Sequence, residues 1–414
     1  MEKFIIANAS ELVTCSGFKG KKGAEMSDLQ CRYNQAIVVN DGMIEDIGNQ
    51  EEMIQKYTEG YSILDVTGKC VMPGFIDSHT HLVFGGYRAE EFSWRLAGQS
   101  YMEIMEKGGG IINSVRDTKA ASEEELFDSG MKRLDSMMGF GVTTVEGKSG
   151  YGLDYDTELK QLRVMKELNK CHPIDLVPTF LGAHAVPPEY KGREGEFVDW
   201  MLKDVIPEVV KENLAEFCDV FCEKNVFEIE DSRKLLEGAK AQGMKIKLHA
   251  DEIVQLGGAE LAAELGAISA DHLLKASDAG IKAMAEAGVV TTLLPATAFS
   301  LKEPFASARK MIDSGCVLAL ASDLNPGSCY TESIPLIISL ATLYMGMSIE
   351  ETITALTING AAALDRAHEI GSIDIGKKAD IIILENESYK YLPYHIGVSI
   401  VEKVIKDGKL VYSK

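Results

Sequence analysis

No apolar run in the 414-residue chain approaches the length of a membrane-spanning helix, and the N-terminal stretch MEKFIIANASELV is interrupted too soon for a secretory leader. A cytoplasmic location without a membrane partner is therefore expected. Positive charge is scarce: 42 Lys and Arg stand against 63 Asp and Glu, a formal net charge of −21. Nucleic acid and anionic membrane surfaces need a basic face to neutralise phosphate, so this balance argues against both. It also means that the overall field repels any anionic substrate, which a few local arginines must then capture. The eight cysteines form no C-x-x-C pair, leaving nothing to suggest zinc knuckles or dithiol chemistry. Cys218 and Cys222, four apart in the β-like run FCDVFCE, read as buried free thiols. Low-complexity tracts, short repeats and disordered linkers are also missing. At 46% hydrophobic, the composition is that of a globular protein with room for one large domain and a smaller one.

From about residue 70 to 365, short β-branched runs alternate with longer amphipathic segments, the pattern of repeated βα units. Eight candidate strands begin at Gly74, Gly141, Asp175, Phe217, Lys245, Ala267, Val289 and Val317. The polar residues with chemical potential fall at their C-terminal ends, where barrel enzymes keep their sites, so a (β/α)₈ TIM barrel is the expected fold over 70–365. A doubly wound open sheet is the alternative. Its glycine fingerprint should follow a strand, whereas Gly108–Gly110 follows a helical stretch and reads as a loop or helix cap. The two ends, 1–69 and 366–414, carry β-like runs with Asp-Gly turns at Asp41-Gly42 and Asp407-Gly408. Neither has enough apolar residues for a core of its own, so they are expected to join in one small composite β-sandwich.

The first predicted strand runs into DSHTH, which places His79 and His81 two apart and hence on one side of extended chain. The fifth ends with His249 and the eighth with Asp323. Strands one and eight adjoin in a closed barrel, so three imidazoles and a carboxylate can meet around one Zn²⁺ or Fe²⁺ with room for water. A core histidine and a helix N-cap are the bland readings of His249 and Asp323; all four at strand ends favour the metal. Glu252, in HADE, stands close enough to a water at such an ion to exchange protons with it, although an acidic residue at a helix N-terminus is also common. His272, at the end of the sixth strand, could polarise a carbonyl or serve as a supporting hydrogen-bond partner.

PGFIDSHTH at Pro73–His81 resembles the hallmark of the amidohydrolase superfamily. Further segments resemble, within it, the imidazolonepropionase family: LVFGGYRAEEFSWRL with Arg88, GKSGYGL with Tyr151, FLGAHAVPPEY with His184, HADE at His249–Glu252, and SDLNPGS at Ser322–Ser328. They are spread over almost the whole barrel in the family's order, and the terminal pieces resemble its composite β-domain.

The resemblance implies hydrolysis of 4-imidazolone-5-propanoate, a five-membered cyclic amide, to N-formimidoyl-L-glutamate in histidine degradation, with one divalent metal, Zn²⁺ or Fe²⁺, per chain. It implies that activated water attacks the ring carbonyl while His272 helps stabilise the oxyanion. Glu252 returns a proton to the departing ring nitrogen, and Asp323 both ligates the metal and accepts a proton from the water. Arg88, Tyr151, His184, Glu252, Asn325, Gly327 and Ser328 are the implied substrate contacts. Arg88 also makes sense independently, because a guanidinium captures a carboxylate that an acidic surface repels; its bland reading is a salt bridge with Glu90 or Glu91. A homodimer is a further implication. A second metal held by Glu223, Lys224 or Lys148 is disfavoured, because the resemblance is to a one-metal group. The rival readings are a deaminase of cytosine- or guanine-like rings and a non-catalytic barrel with a structural metal. Arg88 and the 325–328 loop count against the first, Glu252 and His272 against the second.

Overall fold

The computed structural model describes residues 3–99, 103 and 109–414. Eight strands form one parallel sheet in chain order: Phe75–Asp77, Val142–Lys148, Asp175–Ala183, Phe217–Cys222, Lys245–Ala250, Ser269–His272, Val290–Leu293 and Val317–Leu320. All eight expected strands are present, and the (β/α)₈ fold is borne out. The sheet closes between its first and last strands through a short parallel bridge, Thr80 with Leu324. Asp323 N donates to His79 O at 3.0 Å, His81 N to Leu324 O at 2.8 Å, and Ser322 N to Asp77 Oδ1 at 2.9 Å.

Helices cover the outside, and their sequences show why they form. Glu123–Gly139 begins at a capping box, in which Ser122 and Glu125 satisfy each other's backbone N–H groups, with three acidic residues in the first turn. Its buried positions Leu126, Gly130, Leu134 and Met137 recur at helical spacing and face the barrel core. Gly108 lies outside the described residues; Gly110, with φ 86°, precedes the helix Ile111–Ala120 as its N-cap.

Both termini build the second unit. Met43–Asn49, Gln35–Asn40, Lys3–Ala7 and Ser62–Asp65 make a four-stranded sheet. Lys409–Ser413, Val401–Lys406, Ile381–Leu384, Cys70–Pro73 and Glu11–Leu12 make a five-stranded one. Phe4, Ile6, Val39 and Ile44 from the first piece share an apolar cluster with Ile373, Ile381, Ile383 and Ile405 from the second. Both Asp-Gly turns have two left-handed residues, φ 51° and 81° at Asp41-Gly42 and 47° and 68° at Asp407-Gly408, the geometry a two-residue hairpin prefers. The turns also meet: a Cβ on Gly42 would stand 3.0 Å from Asp407 O.

The run CVMPGFID from Cys70 is continuous in composition but divided in structure. Cys70–Pro73 pairs antiparallel with Ile381–Leu384 in the terminal sheet, and only Phe75–Asp77 joins the barrel. Gly74 is the break, where a side chain would press into Thr143, 2.3 Å away. Among the described residues no helix is long and apolar enough to cross a membrane.

Candidate metal centre and substrate cavity

Three barrel strands aim side chains at one point on the C-terminal rim. His79 and His81 follow the first strand, His249 lies within the fifth, and Asp323 follows the eighth. Nε2 of His79 and Nε2 of His81 stand 3.5 and 3.6 Å from the same oxygen, Asp323 Oδ1. Ligand atoms of His249 lie within 4.8 Å of those of His79 and His272 in one group, and of His81 and His184 in another. Nε2 of His79 and of His249 are buried without a hydrogen-bond partner. Such orphaned lone pairs are costly, and a divalent cation between them would satisfy both.

The electrostatics agree at two of the three histidines. Burial holds His79 and His81 well below the ordinary histidine range, reinforced by Lys148 and by His184 respectively, which keeps both neutral as ligation requires. At His249 burial acts the same way, but Asp219 outweighs it and raises the pKa. Burial pushes Asp323 up to about 6 against the Thr297 hydroxyl, which donates to its Oδ2 at 2.6 Å. His272 and Asp323 have left-handed backbones, φ 73° and 53°, a conformation that costs a non-glycine residue ~1–3 kcal/mol and recurs where side chains are aimed at a site.

Glu252 lines the same cavity, its Oε1 3.5 Å from His272 Nδ1. Burial, followed by the charge of Asp323, pushes its carboxyl up to about 8. Burial and His249 hold His272 well below the usual range, so it is a neutral imidazole. Glu223 and Lys148 are occupied elsewhere. Glu223 accepts backbone N–H groups from Lys224, Ile253 and Val254, and Lys148 contacts three buried carboxylates. Glu223, Lys224 and Lys148 are all absent from the cavity wall.

The cavity holds about 380 Å³ and brings together every expected substrate contact: Arg88, Tyr151, His184, Glu252, Asn325, Gly327 and Ser328. Arg88 makes the ion pair of its bland reading with Glu91 and also lines the cavity. Its Nε donates to Glu91 Oε2 at 2.8 Å, and it still faces the cavity. Glu91 is itself fixed by Gly110 N and Asn113 Nδ2, each at 2.9 Å. A Cβ on Gly327 would fall 2.1 Å from Arg88 Nη1, so only glycine lets the guanidinium lie against that loop. Asn325 works inside the loop: its Oδ1 accepts from Gly327 N at 2.9 Å and Ser328 N at 2.8 Å, and its Nδ2 donates to Asp323 O at 2.8 Å. Burial, then His249, lower His184 to about 3, and its Nδ1 sits 3.2 Å from Gly150 O. Tyr151 is buried, and burial raises its phenol.

Sequence reasoning weighed Lys148 only as a holder of a second metal and passed over the rest of the polar floor beneath these ligands: Glu146, Asp219, Lys247 and Asp271, all, like Lys148, 0% exposed. The signal was there. Thr144, Glu146 and Lys148 alternate along one strand, Lys247 and His249 along another, and Ser269 and Asp271 along a third. Alternate polar residues in a barrel strand point inward together.

Residues 70–411 match the amidohydrolase family model. An imidazolonepropionase of Clostridium tetani is 65% identical over 411 residues, covering 99% of this chain and 98% of that protein. One from Parabacteroides distasonis is 58% identical over 409 residues, with the same two coverages. Among solved structures, a zinc-bound adenosine deaminase from Xanthomonas campestris superposes with a TM-score of 0.71 at 20% identity, over 98% of this chain and 92% of that one, which shows the fold alone. The chain belongs to the amidohydrolase family and, within it, to the imidazolonepropionases, hydrolases that act on a carbon–nitrogen bond.

Proposed function

We propose that the cavity hydrolyses the cyclic amide of 4-imidazolone-5-propanoate to N-formimidoyl-L-glutamate, with one Zn²⁺ or Fe²⁺ held by His79, His81, His249 and Asp323. The observation that carries this reading is the convergence of two orphaned imidazole nitrogens and Asp323 at one end of a cavity that has Arg88 in its wall. A divalent cation there would polarise the ring carbonyl and acidify a water. Asp323 accepts a proton from that water. Glu252, with its raised pKa, is available in protonated form near neutrality and delivers a proton to the departing ring nitrogen. His272 donates a hydrogen bond to the developing oxyanion.

Binding falls to other residues of the cavity wall. Arg88, braced by Glu91, takes the propionate carboxylate. His184, neutral and with Nδ1 directed at a carbonyl, presents Nε2 to a ring N–H, and Tyr151 closes the same side. Asn325 shapes the turn that sets Gly327 and Ser328 against the substrate. We assign catalysis to residues 70–365, and a supporting role to the composite domain of 1–69 and 366–414, none of whose described residues lines the cavity. A cytoplasmic setting fits the eight unpaired cysteines, since disulfides belong to oxidising compartments.

The test is turnover of freshly generated imidazolone propionate by purified protein, with bound metal quantified on the same sample. Loss of the ring chromophore, appearance of formimidoyl-glutamate and abolition by chelation are expected. No turnover by metal-replete protein would overturn the substrate assignment. Glu252→Gln should retain metal and lose ~10²–10⁴-fold in kcat; full activity would remove Glu252 from the mechanism.

A further inference from the structure

Beneath the cavity, sealed from solvent, lies a cluster of charges. Lys148 Nζ stands 2.7 Å from Asp219 Oδ2, 3.1 Å from Glu146 Oε1 and 3.4 Å from Asp271 Oδ2. Lys247 Nζ lies 2.8 Å from the same Glu146 oxygen. Burying ions costs several kcal/mol each even when they are paired, and well-packed apolar side chains commonly hold a core at least as well. Stability alone is therefore a poor explanation for five ionisable residues in a barrel interior.

Their connections suggest another. Asp271 Oδ2 is 2.6 Å from Nδ1 of His79, and Asp219 Oδ2 is 3.0 Å from Nδ1 of His249. Asp219 Oδ1 also accepts the backbone N–H of His249 at 3.1 Å and that of Val220 at 2.7 Å. The Asp271 carboxylate hydrogen-bonded at Nδ1 of His79 keeps the proton there and leaves the lone pair on Nε2, the nitrogen that faces the proposed ion. At His249 the 3.0 Å approach is an ion-pair distance without a hydrogen bond at Nδ1, so Asp219 acts on that residue through its charge and through the backbone N–H. Both carboxylates meet in one cation, Lys148. Without it, two neighbouring buried carboxylates would repel each other, and one could remain unprotonated only at a large cost. Lys247 is placed differently, since its ion pair is with Glu146.

We propose that Lys148 is a positioning residue for the metal site: it holds Asp219 and Asp271 as paired acceptors and so orients His79 and His249 together, through one shared ammonium group. This rests on the reading that those histidines ligate a divalent cation.

The experiment is a zinc titration of chelator-stripped full-length protein against a competing chromophoric chelator, with urea unfolding of each apo variant alongside. Lys148→Met should weaken zinc binding ~10–100-fold, the range found when outer partners of ligating histidines are removed. Lys247→Met also removes a buried cation, so its apo stability should fall comparably while its zinc affinity stays within about threefold of the parent. Parent-like affinity in Lys148→Met, or an equal loss in Lys247→Met, would overturn the proposal. Should Lys148→Met fail to fold, Asp219→Asn and Asp271→Asn report instead. About a tenfold loss in each supports the proposal, and parent-like affinity in both overturns it. A wild-type chain that binds no zinc or ferrous iron would overturn the metal reading itself, and this inference with it.

Discussion

Replacing Glu158 tests how the loop that presents Tyr151 is held. The side chain is buried, and its carboxylate accepts three backbone N–H groups: Gly150 at 3.1 Å on Oε2, Gly152 at 2.8 Å and Leu153 at 2.9 Å on Oε1. Gln161, one turn later in the helix Tyr155–Cys171, accepts Tyr151 N at 3.1 Å and donates to Val83 O at 2.8 Å. A hydrogen bond to a charged acceptor contributes ~1.5–3 kcal/mol net. Burial raises the Glu158 carboxyl in spite of its donors, so part of that gain is offset by keeping a charge away from water. Glu158→Gln retains one oxygen for Gly152 and Leu153 and turns an amide NH₂ toward Gly150 N–H, donor against donor; the expected loss is ~1–2 kcal/mol. Glu158→Ala orphans all three N–H groups at ~1–3 kcal/mol each, or about 3–6 kcal/mol once the loop relaxes. Urea unfolding reads the stability change through the midpoint at constant slope. Steady-state kinetics on the same variants should show KM rising more than kcat falls, because this loop binds rather than moves protons. If Glu158→Ala unfolded at the parent midpoint and kept the parent KM, the account of the buried acceptor would be refuted.

Arg88→Gln should lower kcat/KM by ~10–150-fold, the loss of one charge-assisted contact of about 1.5–3 kcal/mol, with an unchanged metal content by elemental analysis. An unchanged kcat/KM would move the carboxylate elsewhere in the cavity. Gly327→Ala sets a methyl against the Arg88 guanidinium, and KM should rise about tenfold with little change in unfolding midpoint. Glu223→Gln weakens the anchor on Ile253 N and Val254 N beside Glu252; kcat should fall about tenfold at constant bound metal, and loss of metal instead would make Glu223 part of the ion site.

Much of this molecule was legible because its signals are local. Eight β-branched runs separated by amphipathic helices dictate a barrel, and an H-x-H at a strand end dictates two imidazoles side by side. The division inside CVMPGFID was not legible, because both halves are equally apolar and only the pairing with Ile381–Leu384 assigns the first to another sheet. The charged floor was hidden for a different reason. Asp219 and Lys148 lie 71 residues apart and acquire meaning only when the barrel closes around them. Arg88 shows that a bland reading need not displace a functional one, since the ion pair with Glu91 steadies a group that also faces the cavity. Asn325 shows the opposite: expected as a substrate contact, it lines the cavity but its amide is turned into its own loop.

The barrel's closing seam has a thermodynamic consequence. Asp77, His79 and His81 stand on one side of it and Ser322, Asp323 and Leu324 on the other, so a cation shared by the proposed ligands would bridge the two ends of a cylinder whose own hydrogen bonds there are few. Binding energy at that point becomes folding energy, ~4 kcal/mol when the free ion is at a thousand times its dissociation constant. The fraction of chains that stay folded would then follow the supply of metal in the cell, and a starved cell would lose the enzyme to unfolding and proteolysis as well as to inactivity.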